Sequence, residues 1–515
     1  MGYQPPTILR RDLGLTQMIQ VLRENRDGWH LYKDLGRPSF IKFSPVSDSE
    51  GYNSFVDGLF AHTPGSSRSD EGYKATIHFY QLASINKGIG YKHWYHHVDC
   101  NIKYIAIQPE LDLLVLLSYA GTMWSPDDVP HQIHLRTIST NAPHPLAASP
   151  IINLKVARAS RYDLGFQNNL VQIHGRMIGV RFGSYHNPTL KPLVMVWNWV
   201  LGVEVVHLKL KFRPGREYSM TFISEEYILV PKFAEPLKGT RSNYDQIGRL
   251  DVYRIPLGDM ITSLGYHVAS FILADPAERQ DYVYLEVSTS PSPAPDSTQF
   301  QPKIYELAPG NRLIHIYILT SIENKDLSSG ASHRAGLHGL LYVSTNVLLD
   351  LLNRICHPDS ASAPVSIPWS EWGCHASWVS WEASNYMNGF TWGQRHAFRY
   401  NVKVETRQNR YISCKRFCIL DHSRKRVKFA SQGTAGISET MRSERQTRSV
   451  VVDMSDDIAE TPPYIEPLSG GFESMVIDDE HLVVLVPNKQ SPEALAGLLV
   501  YNIGRSTPDA SVVLD

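Results

Sequence analysis

Tyr104-Ile105-Ala106-Ile107, then Gln108-Pro109-Glu110-Leu111-Asp112, then Leu113-Leu114-Val115-Leu116-Leu117, place a short apolar run, a polar turn and a continuous apolar run in succession. Aliphatic and β-branched residues bounded by Pro, Glu and Asp read as two strands joined by a tight turn. The phrase returns at Leu170-Val171-Gln172-Ile173 with Met177-Ile178-Gly179-Val180, at Met220-Thr221-Phe222-Ile223 with Tyr227-Ile228-Leu229-Val230, and at Met475-Val476-Ile477 with Leu482-Val483-Val484-Leu485-Val486. Behind each copy comes a further strand, at 132–138, 194–199, 249–254 and 497–503. A unit of roughly 40 to 60 residues with three or four strands, repeated around a ring, protects sheet edges that would otherwise stay open. The pattern therefore predicts an all-β, β-propeller-like fold with WD-repeat-like blades, about six to eight in number. The continuous apolar strand suits a position packed on both faces, and the alternating one a position nearer solvent. A β-sandwich, or two unrelated β-domains with ordinary hairpins, is the alternative that periodicity leaves open.

The rest of the composition is consistent with a folded body. Of 515 residues, 43% are hydrophobic and 20% charged, enough apolar side chain to offset the entropy of ordering most of the chain. Fifty basic against 51 acidic residues give a net charge of -1, so no global field holds nucleic acid or anionic lipid. Five cysteines, at 100, 356, 374, 414 and 418, are too few and scattered for a disulfide framework, which points to a reducing compartment. The amino terminus lacks the basic region and apolar run of a secretory signal, and no run of about 18 apolar residues offers a membrane span. The expectation is a soluble intracellular protein, cytoplasmic or nuclear.

Ahead of the strands, Leu15, Met18, Ile19 and Leu22 recur at helical spacing, and Gly28 is a plausible stop. Residues 1–40 are read as an N-terminal helical segment packed on the body, and 41–515 as the propeller-like domain. Three stretches, 287–302, 321–338 and 423–449, are rich in Ser with Pro, Gly, His or basic residues, and are read as loop insertions. Arg424, Lys425, Arg426 and Lys428 fit a solvated loop better than a nucleic-acid patch, having no interleaved aromatics.

No phosphate loop, dinucleotide fingerprint, nucleophile elbow or His-Glu-x-x-His motif occurs, so nucleotide, Rossmann, hydrolase and zincin readings lack support. In His93-Trp94-Tyr95-His96-His97-Val98-Asp99, adjacent histidines on a strand point to opposite faces, so one metal does not easily take both. Cys414 and Cys418 have no second ligand pair at tetrahedral-site spacing and are read as ordinary thiols. Asp478, Asp479 and Glu480 form the densest acidic site, but they lie in a turn between apolar strands, where Asp serves backbone hydrogen bonding. Trp369, Trp372, Trp378, Trp381 and Trp392 read as loop packing before a sugar or peptide platform. No catalytic, cofactor or metal residue is assigned, and no cofactor is expected.

Taken in order, several phrases resemble one family. They are the helix leading to Asp27-Gly28-Trp29, then Gln132 to Thr140 with Pro143-His144-Pro145-Leu146, then Val196-Trp197-Asn198-Trp199 with Gly202. Trp369-Ser370-Glu371-Trp372-Gly373, Gly393-Gln394-Arg395, Ile419-Leu420-Asp421, and Pro463-Tyr464 ahead of Met475 to Glu480 follow. The succession is similar to the region after the F-box in the F-box proteins of mushroom-forming fungi. The resemblance implies a substrate-receptor domain that holds a protein target for a cullin ubiquitin ligase, with no catalytic residues. An F-box would have to precede the Leu15 helix, where 14 residues stand, so docking on the ligase adaptor is expected only if an F-box is encoded upstream. The expected partner is an unidentified protein, not nucleic acid or membrane, and the expected role is non-enzymatic. The competing expectation is a propeller-fold hydrolase of glycosidase type, with two carboxylates about 5 to 10 Å apart at the mouth of a central channel.

Overall fold

The computed structural model describes residues 3–4, 6, 8–31, 38–43, 51–64, 66–69, 72–119, 131–154, 171–182, 193–210, 219–233, 248–256, 265–274, 280–291, 302–308, 310–322, 334–355, 363–381, 386–405, 411–422, 448–452, 474–488 and 495–503. Among the described residues, seven sheets of four or five strands follow one another along the chain, each built mainly by antiparallel pairing of sequence neighbours. Blade 1 runs from Tyr52 to Val98, blade 2 from Asn101 to Leu154, blade 3 from Val171 to Lys209 and blade 4 from Thr221 to Ile272. Blade 5 runs from Gln280 to Trp381, blade 6 from Tyr386 to Val452 and blade 7 from Ser474 to Asn502. The first strand of each blade is innermost, and all seven first strands line one central cavity, which defines a β-propeller.

The four repeated phrases are the starts of blades 2, 3, 4 and 7. Their short apolar runs are inner strands, and their continuous runs are second strands. Leu113 to Leu117 are fully buried, as are Ile228, Leu229 and Val230 and also Leu482, Val483 and Val484. Each such aliphatic side chain contributes about 1.5–3 kcal/mol by leaving water. The third strands are more mixed than alternation implies: Leu193–Asn198 in blade 3 is buried along its whole length. Apolar contacts continue from sheet to sheet. Leu117 and Ile133 pack with Ile178 and Val180, Leu250 and Phe271 with Leu285 and Ile316, and Phe60 and Tyr80 with Val483 and Leu498.

Blade 7 is completed from the other end of the chain. Ser39–Lys42 pairs antiparallel with Leu495–Asn502, Ile41 lying opposite Leu498. Ser39 and Phe40, the last residues of the N-terminal segment read from the sequence, thus lie in the ring's closing strand. Helix α1, Leu15–Leu31, runs past Gly28, and its buried side is Met18, Asn25 and Trp29, whereas Leu15 and Ile19 are 72% and 40% exposed. The expected apolar stripe is displaced because polar anchors set the helix's rotation: Asn25 Nδ2 and Trp29 Nε1 donate to Asp479 O at 2.8 and 2.7 Å.

The loop boundaries also shift. Val287 to Thr289 finish blade 5's inner strand and Ser290 is buried, strands end at Ile322 and begin at Arg334, and Arg448 opens the outer strand of blade 6. Residues 292–301, 323–333 and 423–447, which include the basic cluster 424–428, lie outside the described residues. Blade 5 makes an excursion through α2, Thr345–Ile355, and the short α3, Trp369–Trp372. On the way, Val365–Ile367 adds in parallel to the outer strand of blade 4, and Trp372, fully buried, donates from Nε1 to Ile272 O at 2.9 Å.

Candidate functional site

The central cavity, about 160 Å³, is walled by the inner strands. Its lining mixes polar residues, among them Gln108, Gln172, His174 and Arg312, with apolar ones such as Phe55, Phe222 and Phe390. Arg312 is 1% exposed. It donates to Ser290 O and Phe222 O, each at 3.4 Å, and to Ile223 O, joining blades 4 and 5, and burial pulls its guanidinium down to about 9. His174 lies against Phe222 with ring centroids 5.5 Å apart, and burial, with Arg312 adding to it, holds its imidazole well below the usual range.

A second, smaller cavity adjoins at one end and shares Val56, Gln108 and Pro291 with the first. Here residues 303–307, inside the long connection of blade 5, cross the inner-strand turns. Tyr3–Gln4 pairs with Glu306–Leu307, and Arg10 N donates to Lys303 O at 3.1 Å. Lys303 Nζ reaches Glu110 Oε1 at 2.7 Å and Asp57 Oδ2 at 3.5 Å, and Lys87 Nζ meets the same Asp57 oxygen at 2.8 Å. Burial opposes ionisation of Asp57, yet the two ammonium groups hold its carboxyl below the ordinary value. Asp57 and Gly58 form the two-residue turn between Tyr52–Val56 and Leu59–Thr63, with φ of 52° and 80°. That geometry selects Asp-Gly.

The turn Asp478 to His481 joins these parts. Asp478 Oδ1 accepts from the Glu480 and His481 amides at 2.8 and 2.7 Å, the backbone capping anticipated for an acidic turn. The turn also reaches across the closure between blades 7 and 1. His481 Nδ1 pairs with Asp478 at 2.9 Å and Nε2 meets Ala83 O at 2.9 Å, while Glu480 accepts from Ser84 Oγ and, at 2.9 Å, from Asn86 N. Burial disfavours a charged imidazole, but the Asp478 carboxylate prevails and pushes His481 up to about 9. Burial likewise raises the Glu480 carboxyl. Asn86 then carries the connection onward, its Oδ1 accepting from Ile304 N and Tyr305 N at 2.8 and 3.0 Å.

Residues 93–99 form the outer edge of blade 1, where the adjacent histidines diverge as alternation requires. His96 Nε2 contacts Ile138 O at 2.8 Å and His97 Nδ1 contacts Thr76 at 3.1 Å. No group of three or more potential ligands is positioned for a metal among the described residues. The tryptophans separate: Trp369 and Trp372 clasp blade 4, Trp378 stands on the outer strand of blade 5, and Trp392 is buried on the inner strand of blade 6. The Trp381 side chain lies outside the described residues. Cys414 and Cys418 share one strand, Tyr411–Asp421. Burial pushes the Cys100 thiol up to about 11, which makes it a poor nucleophile. Among the described residues, no helix is long and apolar enough to cross a membrane.

Sequence reasoning missed Asp57, Lys87, Glu110, Lys303 and Arg312. The Asp57-Gly58 pair flanked by apolar residues was a readable hairpin signal. No local signal marks Lys303, whose carboxylate partners stand 193 and 246 residues away.

No family model and no curated protein matches the chain. Among solved structures, the β-propeller domain of the Trilobed protease from Pyrococcus furiosus, described as having an open velcro topology, is similar at 9% identity and a TM-score of 0.30, over 73% of this chain and 95% of that one. Sqt1 from Chaetomium thermophilum, bound to the N-terminus of a ribosomal protein, is similar at 9% identity and a TM-score of 0.25, over 59% and 95%. The catalytic domain of an α-L-arabinofuranosidase from Coprinopsis cinerea is similar at 10% identity and a TM-score of 0.22, over 60% and 97%. The propeller assignment rests on the seven sheets and their shared cavity.

Proposed function

We propose that this chain is a non-enzymatic propeller that holds a protein target, in the manner of the receptor part that the ordered phrases resemble. The observation that supports this over catalysis is the state of the two carboxylates at the channel end. A glycosidase needs one carboxyl kept protonated and one free to attack or to activate water. Asp57 and Glu110 both reach one ammonium, Lys303, and Lys87 takes the same Asp57 oxygen, so both carboxylates are engaged as ion-pair partners. Their role is to fasten residues 303–307 across the ring, which leaves a rigid scaffold on which a partner can dock without deforming it.

The test is affinity capture with the purified full chain, crosslinking and mass spectrometry, run beside a panel of aryl glycosides and peptide substrates. The expected result is a saturable protein partner crosslinked to the propeller and no turnover. Measurable hydrolysis together with failure to recover any saturable partner overturns the reading in favour of a propeller-fold hydrolase.

A further inference from the structure

We propose that the outer edge of blade 1 binds a zinc ion through His78 and His93, with the remaining coordination positions filled by water or by a donor from a partner molecule. Strands Gly72–Gln81 and Lys92–Val98 pair antiparallel, with His78 opposite Tyr95 and Tyr80 opposite His93. His78 and His93 therefore share one face as diagonal neighbours, within reach of each other's side chains. His78 Nδ1 lies 3.3 Å from His93 Nε2 while the ring centres are 5.6 Å apart, so the edges that carry the nitrogens face one another. The histidines adjacent along this strand diverge; the pair that converges is formed across it.

The separation of the two nitrogens selects the ion. Zinc holds imidazole nitrogens at about 2.0–2.1 Å in a tetrahedral site, which sets any two of them about 3.3–3.4 Å apart. Octahedral or square-planar ions with similar bond lengths need neighbouring donors at about 2.9 Å. Only one hydrogen fits between nitrogens this close, so one lone pair is always bare, and a proton shift to the far nitrogen of the other ring frees both. The rings are steadied without being covered. His93 stacks on the buried Tyr80 with centres 4.5 Å apart, and Tyr95 lies against His78 at 5.9 Å, yet His93 is exposed and His78 only half-buried. His62 extends the row, opposite His78 on the next strand, but no third ligand is positioned with the pair among the described residues, which leaves an open site. The site lies away from the central cavity and does not depend on the protein-target reading.

The experiment is isothermal titration of the untagged full chain, stripped with a chelator, with zinc chloride and with magnesium chloride as control; cobalt(II) then serves as the spectroscopic substitute. The expected result is saturable zinc binding and none of magnesium. His93→Gln replaces an exposed side chain and should weaken the zinc site at least about tenfold, as should His78→Gln. His97→Gln, exposed on the same strand but bonded to Thr76, should leave it unchanged. Cobalt should show the visible absorption of a tetrahedral centre in wild type and lose it in His93→Gln. Should His78→Gln fail to fold, His93→Gln and His97→Gln decide between them. The proposal is wrong if zinc does not saturate, if it binds His93→Gln as tightly as wild type, or if His97→Gln weakens it equally, whatever the capture experiment returns.

Discussion

His481 offers the sharpest test of how the ring is held shut. Its imidazole is fully enclosed, contacts both oxygens of Asp478 at 2.9 and 3.0 Å, and meets Ala83 O of blade 1 at 2.9 Å. The folded protein pushes it up to about 9 from 6.5 in the free side chain. A proton bound more tightly in the folded state stabilises that state fully below pH 6.5, and the stabilisation is lost as pH rises through about 9. At about 1.4 kcal/mol for each tenfold difference, the amount at stake is about 3 kcal/mol. The perturbation is His481→Gln, which retains a donor but does not titrate. Urea unfolding of both proteins between pH 6 and pH 10 removes every other titration from the difference between them. Wild type should exceed the variant most at pH 6, and the gap should shrink by about 3 kcal/mol toward pH 10 with unchanged denaturant slopes. A gap that stays constant across that range refutes a charged His481, and one that widens reverses the argument.

Acid acts on a different set. Burial holds His62 at about 3 and His131 and His315 at about 4, so each should cost about 2 kcal/mol as pH falls from 6.5 to 5; a flat urea midpoint over that interval excludes neutral buried imidazoles. Lys303→Met leaves Asp57 and Glu110 without that ammonium, and with a side chain still 11% exposed the loss should be about 2 kcal/mol. Hydrogen exchange at the Ile304 and Tyr305 amides should accelerate with it, and unaltered protection there would show that the ion pairs do not secure that segment. Trp29→Ala removes a side chain 1% exposed together with its bond to Asp479 O, and should lower unfolding free energy by about 3–5 kcal/mol; a drop under about 1 kcal/mol would mean the helix is not anchored there.

The strands that repeated one short phrase were readable because an inner strand, a tight turn and a doubly buried second strand leave a local hydrophobic record, as at 104–117 and 475–486. Blade 1 carries the same plan less visibly: its inner strand, Tyr52–Val56, is short and mixed, and its turn is announced only by Asp57-Gly58. The fourth strands escaped notice because solvent-facing edges such as Ile151–Leu154 tolerate almost any residue outward. Helix α2 was legible in principle, with Leu348, Leu351 and Leu352 buried on one side. The acidic turn was recognised as a turn, yet its contacts with Ser84 and Asn86 join positions 396 and 394 residues apart, a relation that exists only once the ring has formed. Lys303 and Arg312 belong to the same kind: their roles are set by the packing of distant strands and leave no mark on their neighbours in the chain.

Pairing Ser39–Lys42 with Leu495–Asn502 has a consequence for how the protein is made. During translation the early strand leaves the ribosome long before its complement has been synthesised, so it travels as an unmatched β edge while six sheets assemble behind it. Latching then happens in one late event at a single seam, and nascent chains stalled before residue 495 should be selectively retained by chaperones that recognise exposed strands.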